Sequence, residues 1–290
     1  MRYTHIHIDF QCQDDIKQTV SDLLIDAAGE AGCDSFDNSS DGLDGYAVDG
    51  QFDSSMLDEA IRQFPIQGVH ISYTVGMAED KDWNQTWEES GFGPISIDEC
   101  ILVYDKRHTP AEQVSASPLP IKIGIEARQA FGTGTHETTQ MVLDAIIHCC
   151  PRGKRMLDCG CGTGILSIAA LKLGAKEAIG YDIDEWSTKN ATHNARQNGA
   201  DAMKVLLGDA SVLQEVEGCF ELVVANINRN ILLADLPRFA AKMSSGASFI
   251  ISGFYESDAS LLVAKAKELQ LSEQVRKALN SWCCITFLKD

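Results

Sequence analysis

No stretch of this 290-residue chain holds the roughly 18 consecutive apolar residues that a membrane-spanning helix needs. The first ten residues, Met1 to Phe10, carry charge and alternate polar with apolar, so no apolar core of a secretion signal is expected there. The ten cysteines never fall at Cys-x-x-Cys spacing. They occur as singles (Cys12, Cys33, Cys100, Cys219), as the adjacent pairs Cys149-Cys150 and Cys283-Cys284, and as Cys159-x-Cys161. That excludes a zinc knuckle or a thioredoxin-type motif and predicts no metal centre. Such cysteines read as small buried hydrophobes in a reducing, cytoplasmic compartment. Positive charge is scarce: 24 Lys and Arg face 42 Asp and Glu, for a net charge of -18. A surface this acidic does not grip nucleic acid phosphates directly. It suits a basic macromolecular partner, or simply keeps the chain dissolved. The expectation is a monomer with no membrane or nucleic acid contact.

What is present falls into two patterns. Residues 2–9 alternate with period two and predict a strand. Residues 14–31 predict an amphipathic helix with Ile16, Val20, Leu23, Leu24 and Ala27 on one face. Residues 34–50 are rich in Asp, Ser, Asn and Gly and predict a loop region ending in a strand at Gly45–Val48. A helix over Ser54–Phe64 and a strand over Gln67–Val75 complete a small α+β module of ferredoxin-like pattern. A polar helix is then expected around Glu79 to Trp87, where Trp83 and Trp87 share a face. Two or three short strands over 99–126 are expected to connect it onward. From Lys154 the chain alternates strand and helix strictly, with strands that are short apolar runs. That pattern predicts a doubly wound α/β sheet covered by helices on both faces. The predicted division is 1–78, a linker over 79–120, and 121–290.

The chemistry is concentrated after the first strand of that alternation, at Asp158-Cys159-Gly160-Cys161-Gly162-Thr163-Gly164. A glycine-rich turn at the carboxyl end of a first strand lets a ligand approach the backbone. The spacing is Gly-x-Gly-x-Gly and not the Gly-x-Gly-x-x-Gly of dinucleotide folds. With Asp158 two residues ahead, the run resembles motif I of the class I methyltransferases, Rossmann-like proteins that bind S-adenosylmethionine. An acidic residue there suits a cationic amino acid cofactor better than a pyrophosphate. Asp182 ends the second strand, 22 residues after Gly160, where a carboxylate can accept from both hydroxyls of a ribose. Asp184 fits a helix N-cap. In the class I fold the loop Gly208-Asp209-Ala210 flanks the adenine. Asn226 ends the fourth strand, where that fold presents the methyl group to its acceptor.

Just ahead of these elements, Phe131-Gly132-Thr133-Gly134-Thr135-His136-Glu137-Thr138-Thr139 resembles the Ala-Phe-Gly-Thr-Gly-x-His-x-Thr-Thr signature of the ribosomal protein L11 methyltransferase (PrmA) family. Glu79 to Trp83, Leu166 to Ala175 and Asp182-Ile183-Asp184 are similar to that family as well. The likeness carries specific motifs over 79–290 and only a general pattern before that. It implies methyl transfer from S-adenosylmethionine to lysine ε-amines and the α-amine of a basic ribosomal protein. It also implies that Thr139, Gly160, Asp182 and Asn226 are the principal cofactor contacts. Phe131, Gly132, Thr133 and Gly134 would shape a lid. Asp158, Gly162, Gly164, Ile183, Asp209 and Ala210 would complete the cofactor cradle, and Asn226 would orient the acceptor amine. His136 fits a structural or a catalytic role equally, and Thr138 fits a helix cap as well as a ligand contact. Asn228-Arg229-Asn230 departs from the Leu or small residue that many family members have there, which bears on the acceptor side. Methyl transfer to another protein or a small molecule, and nicotinamide-dependent oxidoreduction on a related fold, are the alternatives.

Overall fold

The structure is a computed structural model that describes residues 3–13, 16–33, 35–38, 42–48, 50–66, 68–77, 91–127 and 132–290. The expected helix with Trp83 and Trp87 and the lid residue Phe131 lie outside these residues. The chain separates into two compact units, Met1–Asp82 and Trp83–Asp290.

In the first unit the elements run β1 (Tyr3–Gln11), α1 (Lys17–Glu30), β2 (Ser35–Asn38), β3 (Gly42–Val48), α2 (Ser54–Arg62) and β4 (His70–Met77). The strand order is β2-β3-β1-β4. β1 pairs antiparallel with both β3 and β4, and β2 pairs antiparallel with β3. This is the ferredoxin-like arrangement. Within the segment expected to be a loop, Ser35–Asn38 and Gly42–Val48 form the β2–β3 pair. Their Ser, Asn and Gly content hides a buried alternation at Leu43, Gly45 and Ala47, and pairing with β1 outweighs weak intrinsic strand preference. Ile6, Ile8, Val20, Leu24, Leu43, Ala47 and Leu57 form the core beneath α1 and α2. Asp53 starts α2 by accepting from the Ser55 N–H at 2.9 Å.

The second unit opens with β5 (Ile95–Ile97), β6 (Ile101–Asp105), a short helix α3 (Ala111–Ala116) and β7 (Ile121–Ile125). These three strands form a small sheet of their own. They are not linker strands: Ile97, Ile101, Val103, Ile123 and Ile125 are buried in the same core as the helices of this unit. Then come α4 (Glu137–His148), β8 (Arg155–Cys159), α5 (Ile165–Lys172), β9 (Glu177–Asp182), α6 (Glu185–Gln197), β10 (Met203–Leu207), β11 (Phe220–Asn226), α7 (Arg229–Ala241), β12 (Met243–Tyr255), α8 (Ala259–Glu268), β13 (Leu271–Leu279) and β14 (Trp282–Lys289).

The seven-stranded sheet is ordered β10-β9-β8-β11-β12-β14-β13. β10 through β12 are parallel, and β14 runs antiparallel to both neighbours. Successive residues of one strand enter different cores. Leu222 and Val224 of β11 pack with α4 and α5, while Val223 and Ala225 pack with α7 and α8. A strand buried on both faces has no polar side, which is why these strands read as unbroken apolar runs. The chain reverses its winding direction between β8 and β11. In open α/β sheets that switch point leaves a crevice at the carboxyl ends of the strands. Gly160 and Asn226 fall at its two lips.

Candidate active site

The turn after β8 is held by backbone bonds from Gly160 and Cys161 to the Tyr181 carbonyl, at 2.9 and 3.0 Å. Gly160, Gly162 and Gly164 all have positive φ, at 75°, 51° and 81°, a region that a side chain disfavours by about 1–2 kcal/mol. A Cβ on Gly160 would lie 2.5 Å from Ile227 Cγ2. The turn therefore touches the loop after β11 across the switch point. Gly164 has a different reason for being glycine. A Cβ there would meet Met203 and Ala191 at 3.1 and 3.2 Å. It lets α5 pack on α6 and β10, and no ligand is needed to explain it.

Asp158 lies beneath this turn with no exposed surface. Its Oδ2 accepts from the Ser167 hydroxyl at 2.7 Å. Its Oδ1 is buried with no partner. Burial pushes the carboxyl up to about 6, against the pull of the Ser167 hydrogen bond, and the Asp182 charge adds to the rise. An orphaned buried acceptor of this kind costs stability unless a cation or donor arrives to meet it. The flanking thiols of Cys159 and Cys161 are also raised by burial. They behave as small hydrophobes and not as nucleophiles.

Asp182 ends β9. Its Oδ2 accepts from Gly162 N at 2.9 Å, and its Oδ1 accepts from Asp184 N at 3.1 Å. Two backbone N–H groups thus lock the carboxylate at the mouth of the glycine turn, with further lone pairs on both oxygens. Asp184 caps α6 by accepting from Ser187 N at 2.9 Å, as its position predicted. Ile183 and Trp186 beside them are large apolar side chains left 60% and 55% exposed. Asp209 is exposed and caps the short turn Ala210–Gln214 through Ser211 N at 2.8 Å. The hydrogen bonds from Ser211 hold its carboxyl below the usual range. Ala210 is buried behind it.

The segment ahead of α4 is tied to the same turn. The buried Thr163 hydroxyl donates to the Gly132 carbonyl at 2.6 Å. Cβ atoms on Gly132 and Gly134 would crowd Thr163 Oγ1, Val103 and Ile165 at 3.0 to 3.2 Å. Thr133 and Thr135 share a hydroxyl hydrogen bond of 2.8 Å. Thr139 is almost fully buried and accepts from Asn226 Nδ2 at 3.4 Å. Residues 87 positions apart in the sequence thereby meet at one lip of the crevice.

His136 has a structural task. It is the N-cap of α4, and its Nδ1 lies 3.2 Å from Thr138 N and 2.8 Å from Thr138 Oγ1. Its ring meets Trp282 edge-on at 4.9 Å, and Trp282 stacks on Tyr255 at 4.4 Å. Asn228 is also a cap, accepting from Ile231 N at 3.0 Å, and Arg229 pairs with Asp258 at 2.8 Å. The departure at 228–230 therefore builds the start of α7. Residues missed in the sequence are Thr163, Ser167, Trp186, Tyr255 and Trp282. Only Ser167 left a usable signal: it stands nine residues after Asp158 on the buried face of the following helix.

The sequence profile of the family described as ribosomal protein L11 methyltransferase (PrmA) matches residues 5–290. The ribosomal protein L11 methyltransferase of Bacteroides thetaiotaomicron is 38% identical over 270 residues, covering 93% of this chain and 94% of that protein. The one from Porphyromonas gingivalis is 36% identical over 273 residues, covering 94% and 92%. The crystal structure of the ribosomal protein L11 methylase from Lactobacillus delbrueckii subsp. bulgaricus is 27% identical. It superposes with a TM-score of 0.58, covering 69% of this chain and all of that one.

Proposed function

The chain belongs to the ribosomal protein L11 methyltransferase (PrmA) family and is an S-adenosylmethionine-dependent protein methyltransferase; on that premise we propose that its substrate is ribosomal protein L11, methylated on lysine ε-amines and on the N-terminal α-amine. The relatives are enzymes named for that substrate, and a net charge of -18 suits a basic partner. The site carries no feature of a nicotinamide enzyme, whose fingerprint needs a different glycine spacing.

The cofactor fits the residues of the crevice on two counts. Asp158 Oδ1 is a buried anionic acceptor awaiting a cation, and the turn at Gly160 is a cradle that a Cβ would fill. In this reading Asp158 answers the cofactor's ammonium group, directly or through water. Asp182 accepts from the ribose, and Ile183, Asp209 and Ala210 border the adenine. Gly132, Thr133 and Gly134 form the cover, which Thr163 latches to the turn. When bound, S-adenosylmethionine supplies a methyl group already activated by a sulfonium. The protein mainly has to align the acceptor and keep water away. A lysine must be neutral to attack, and its ordinary pKa of about 10.4 means that a proton leaves before or during docking. Thr139 takes one N–H of the Asn226 amide, which leaves Asn226 Oδ1 to accept from the amine and turn its lone pair toward the methyl. No dedicated general base is assigned. The smaller unit, residues 1–78 in the sequence division, recognises the protein substrate.

The chain works in the cytoplasm as a monomer in this reading. All ten cysteines are free thiols, as suits a reducing compartment. No helix among the described residues is long and apolar enough to cross a membrane.

The observation that carries the assignment is the meeting of the orphaned Asp158, the Gly160 turn and the Thr139–Asn226 pair at one switch point. The test is incubation of the purified chain with radiolabelled S-adenosylmethionine, isolated L11 and other basic ribosomal proteins as controls. Label confined to L11, placed on amines by mass spectrometry, is the expected result. Label on a control protein instead, or none with cofactor binding intact by calorimetry, would discard L11 as the substrate.

A further inference from the structure

β1 places His5 and His7 on the face of the four-stranded sheet opposite its core, because the alternating Ile6 and Ile8 are fully buried beneath α1 and α2. On β3 the residue paired with His7 is Asp44, also on the open face. Asp44 Oδ1 lies 2.8 Å from His5 Nε2 and 2.6 Å from His7 Nδ1. The donor atoms of all three side chains converge within 4.8 Å of one another. Their side chains keep 34%, 24% and 18% of their surface, so an ion can reach them.

The second ring nitrogen of His7 supplies an independent observation. His7 Nε2 points at Asp9 Oδ1, 3.4 Å away, while Nδ1 points at Asp44. A neutral imidazole has only one N–H and cannot donate to two carboxylates, so the ring is either protonated or gives one nitrogen to another group. A histidine that ligates a metal through one nitrogen and donates the other to a carboxylate satisfies both directions. That outer carboxylate is the usual support of a metal-bound histidine. Tyr46 stacks on His5 at 5.1 Å and holds its ring in place.

We propose that His5, His7 and Asp44 bind a zinc-class divalent cation on the open face of the N-terminal sheet, with Asp9 orienting His7. Two imidazoles and one carboxylate are borderline ligands that suit Zn²⁺, Co²⁺ or Ni²⁺ over Mg²⁺ or Ca²⁺. Zinc bonds of about 2.0–2.2 Å hold tetrahedral donors roughly 3.3–3.6 Å apart, so each histidine nitrogen need withdraw from the Asp44 oxygen by no more than about 1 Å. Three protein ligands leave a fourth position for water or for a donor from a docked molecule. A second acidic and histidine group, Asp98, Asp144 and His148, offers no such site. Lys277 already occupies Asp144 with its own positive charge.

The test is titration of the full chain with Co²⁺, followed by absorbance, and with Zn²⁺ against a chromophoric chelator. One equivalent should bind, with the weak visible bands of nitrogen and oxygen ligation. Affinity should fall at least about tenfold in His5→Gln and in Asp44→Asn, and by about tenfold in Asp9→Asn, whose three ligands stay intact. Circular dichroism checks that each variant is folded. Failure of the wild-type chain to bind either metal at about 100 times its own concentration would overturn the site, whatever the variants do. So would a strong thiolate charge-transfer band that survives in all three variants, since it would place the metal on cysteine.

Discussion

In the seven-stranded sheet, Leu222 and Val223 are neighbours in sequence and belong to different cores. In the four-stranded sheet, Ile6 is fully buried and its neighbours His5 and His7 face outward beside Asp44. One sheet is closed on both faces and can expose chemistry only at the ends of its strands. The other is open on one face and can use the whole width of its strands. The closed sheet thus concentrates its polar groups at the switch point, where Asp158 is sealed and Asn226 reaches Thr139. The open sheet displays a flat set of polar side chains on its uncovered face. Small-molecule chemistry needs the first arrangement, since it requires exclusion of water. Recognition of a folded protein fits the second.

The sharpest break of this contrast is to separate the two units. Removal of residues 1–78 should cut methylation of L11 at least ~100-fold, about 2.7 kcal/mol of recognition, while calorimetry still finds S-adenosylmethionine bound. Equal methylation by the shortened chain would mean that the open sheet does no recognition. Within the closed sheet, Asn226→Ala should lower kcat on the order of 100-fold, because loss of acceptor alignment costs about that much. Cofactor affinity should change far less, so the two readouts separate orientation from binding. Full turnover in that variant would remove Asn226 from the mechanism.

Asp158 gives the closed sheet a pH signature in the acid range. Its folded carboxyl is raised from 3.8 to about 6. Between those values the folded state holds a proton that the unfolded state has lost, so stability falls as pH rises and then levels off above about 6. The full cost is about 3 kcal/mol, to order of magnitude. Asp158→Asn should therefore raise the melting temperature of the ligand-free chain most at pH 8, by about half as much at pH 5, and hardly at all below about pH 4. S-adenosylmethionine should bind the wild type more tightly as pH rises through about 6, and the variant should lose that dependence. An unchanged pH profile in the variant would show that the orphaned oxygen is not what the cofactor meets. The smallest effect belongs to His136. As a cap, its replacement by Ala should cost about 1 kcal/mol and lower the melting temperature by about 2–4 °C, with kcat within about threefold. A loss of kcat near 100-fold, about 2.7 kcal/mol in the barrier, would make it catalytic after all.

The second unit was legible in the sequence almost element by element from Arg155 onward, because strands covered on both faces are short apolar runs between helices of matching length. Asp158, Gly160, Asp182 and Asn226 were legible because the ends of parallel strands recur at regular intervals along such a chain. β2 and the start of β3 were not, since an edge strand of Ser, Asp and Asn is stabilised by its neighbour and not by its own composition. The helix α4 was legible only through the capping role open to Thr138, and its cap is His136 instead. The residues alone could not divide His136 between a cap and a catalyst. That depends on whether its Nδ1 meets a backbone N–H, and the partner lies only two residues along the chain.

The sequence by itself determined the fold class, the glycine turn with its cofactor, and the acidity that suits a basic substrate. These are properties of local pattern and of summed charge, and they do not depend on how distant residues meet. Only the tertiary structure decided that Gly164 serves packing and Gly160 the crevice, that Asp158 keeps one oxygen without a partner, and that Thr139 reaches Asn226. It also brought His5 and His7 onto Asp44 from a strand almost 40 residues away. Each of these depends on burial or on contact between residues far apart in the chain, and burial and distant contact are set by packing.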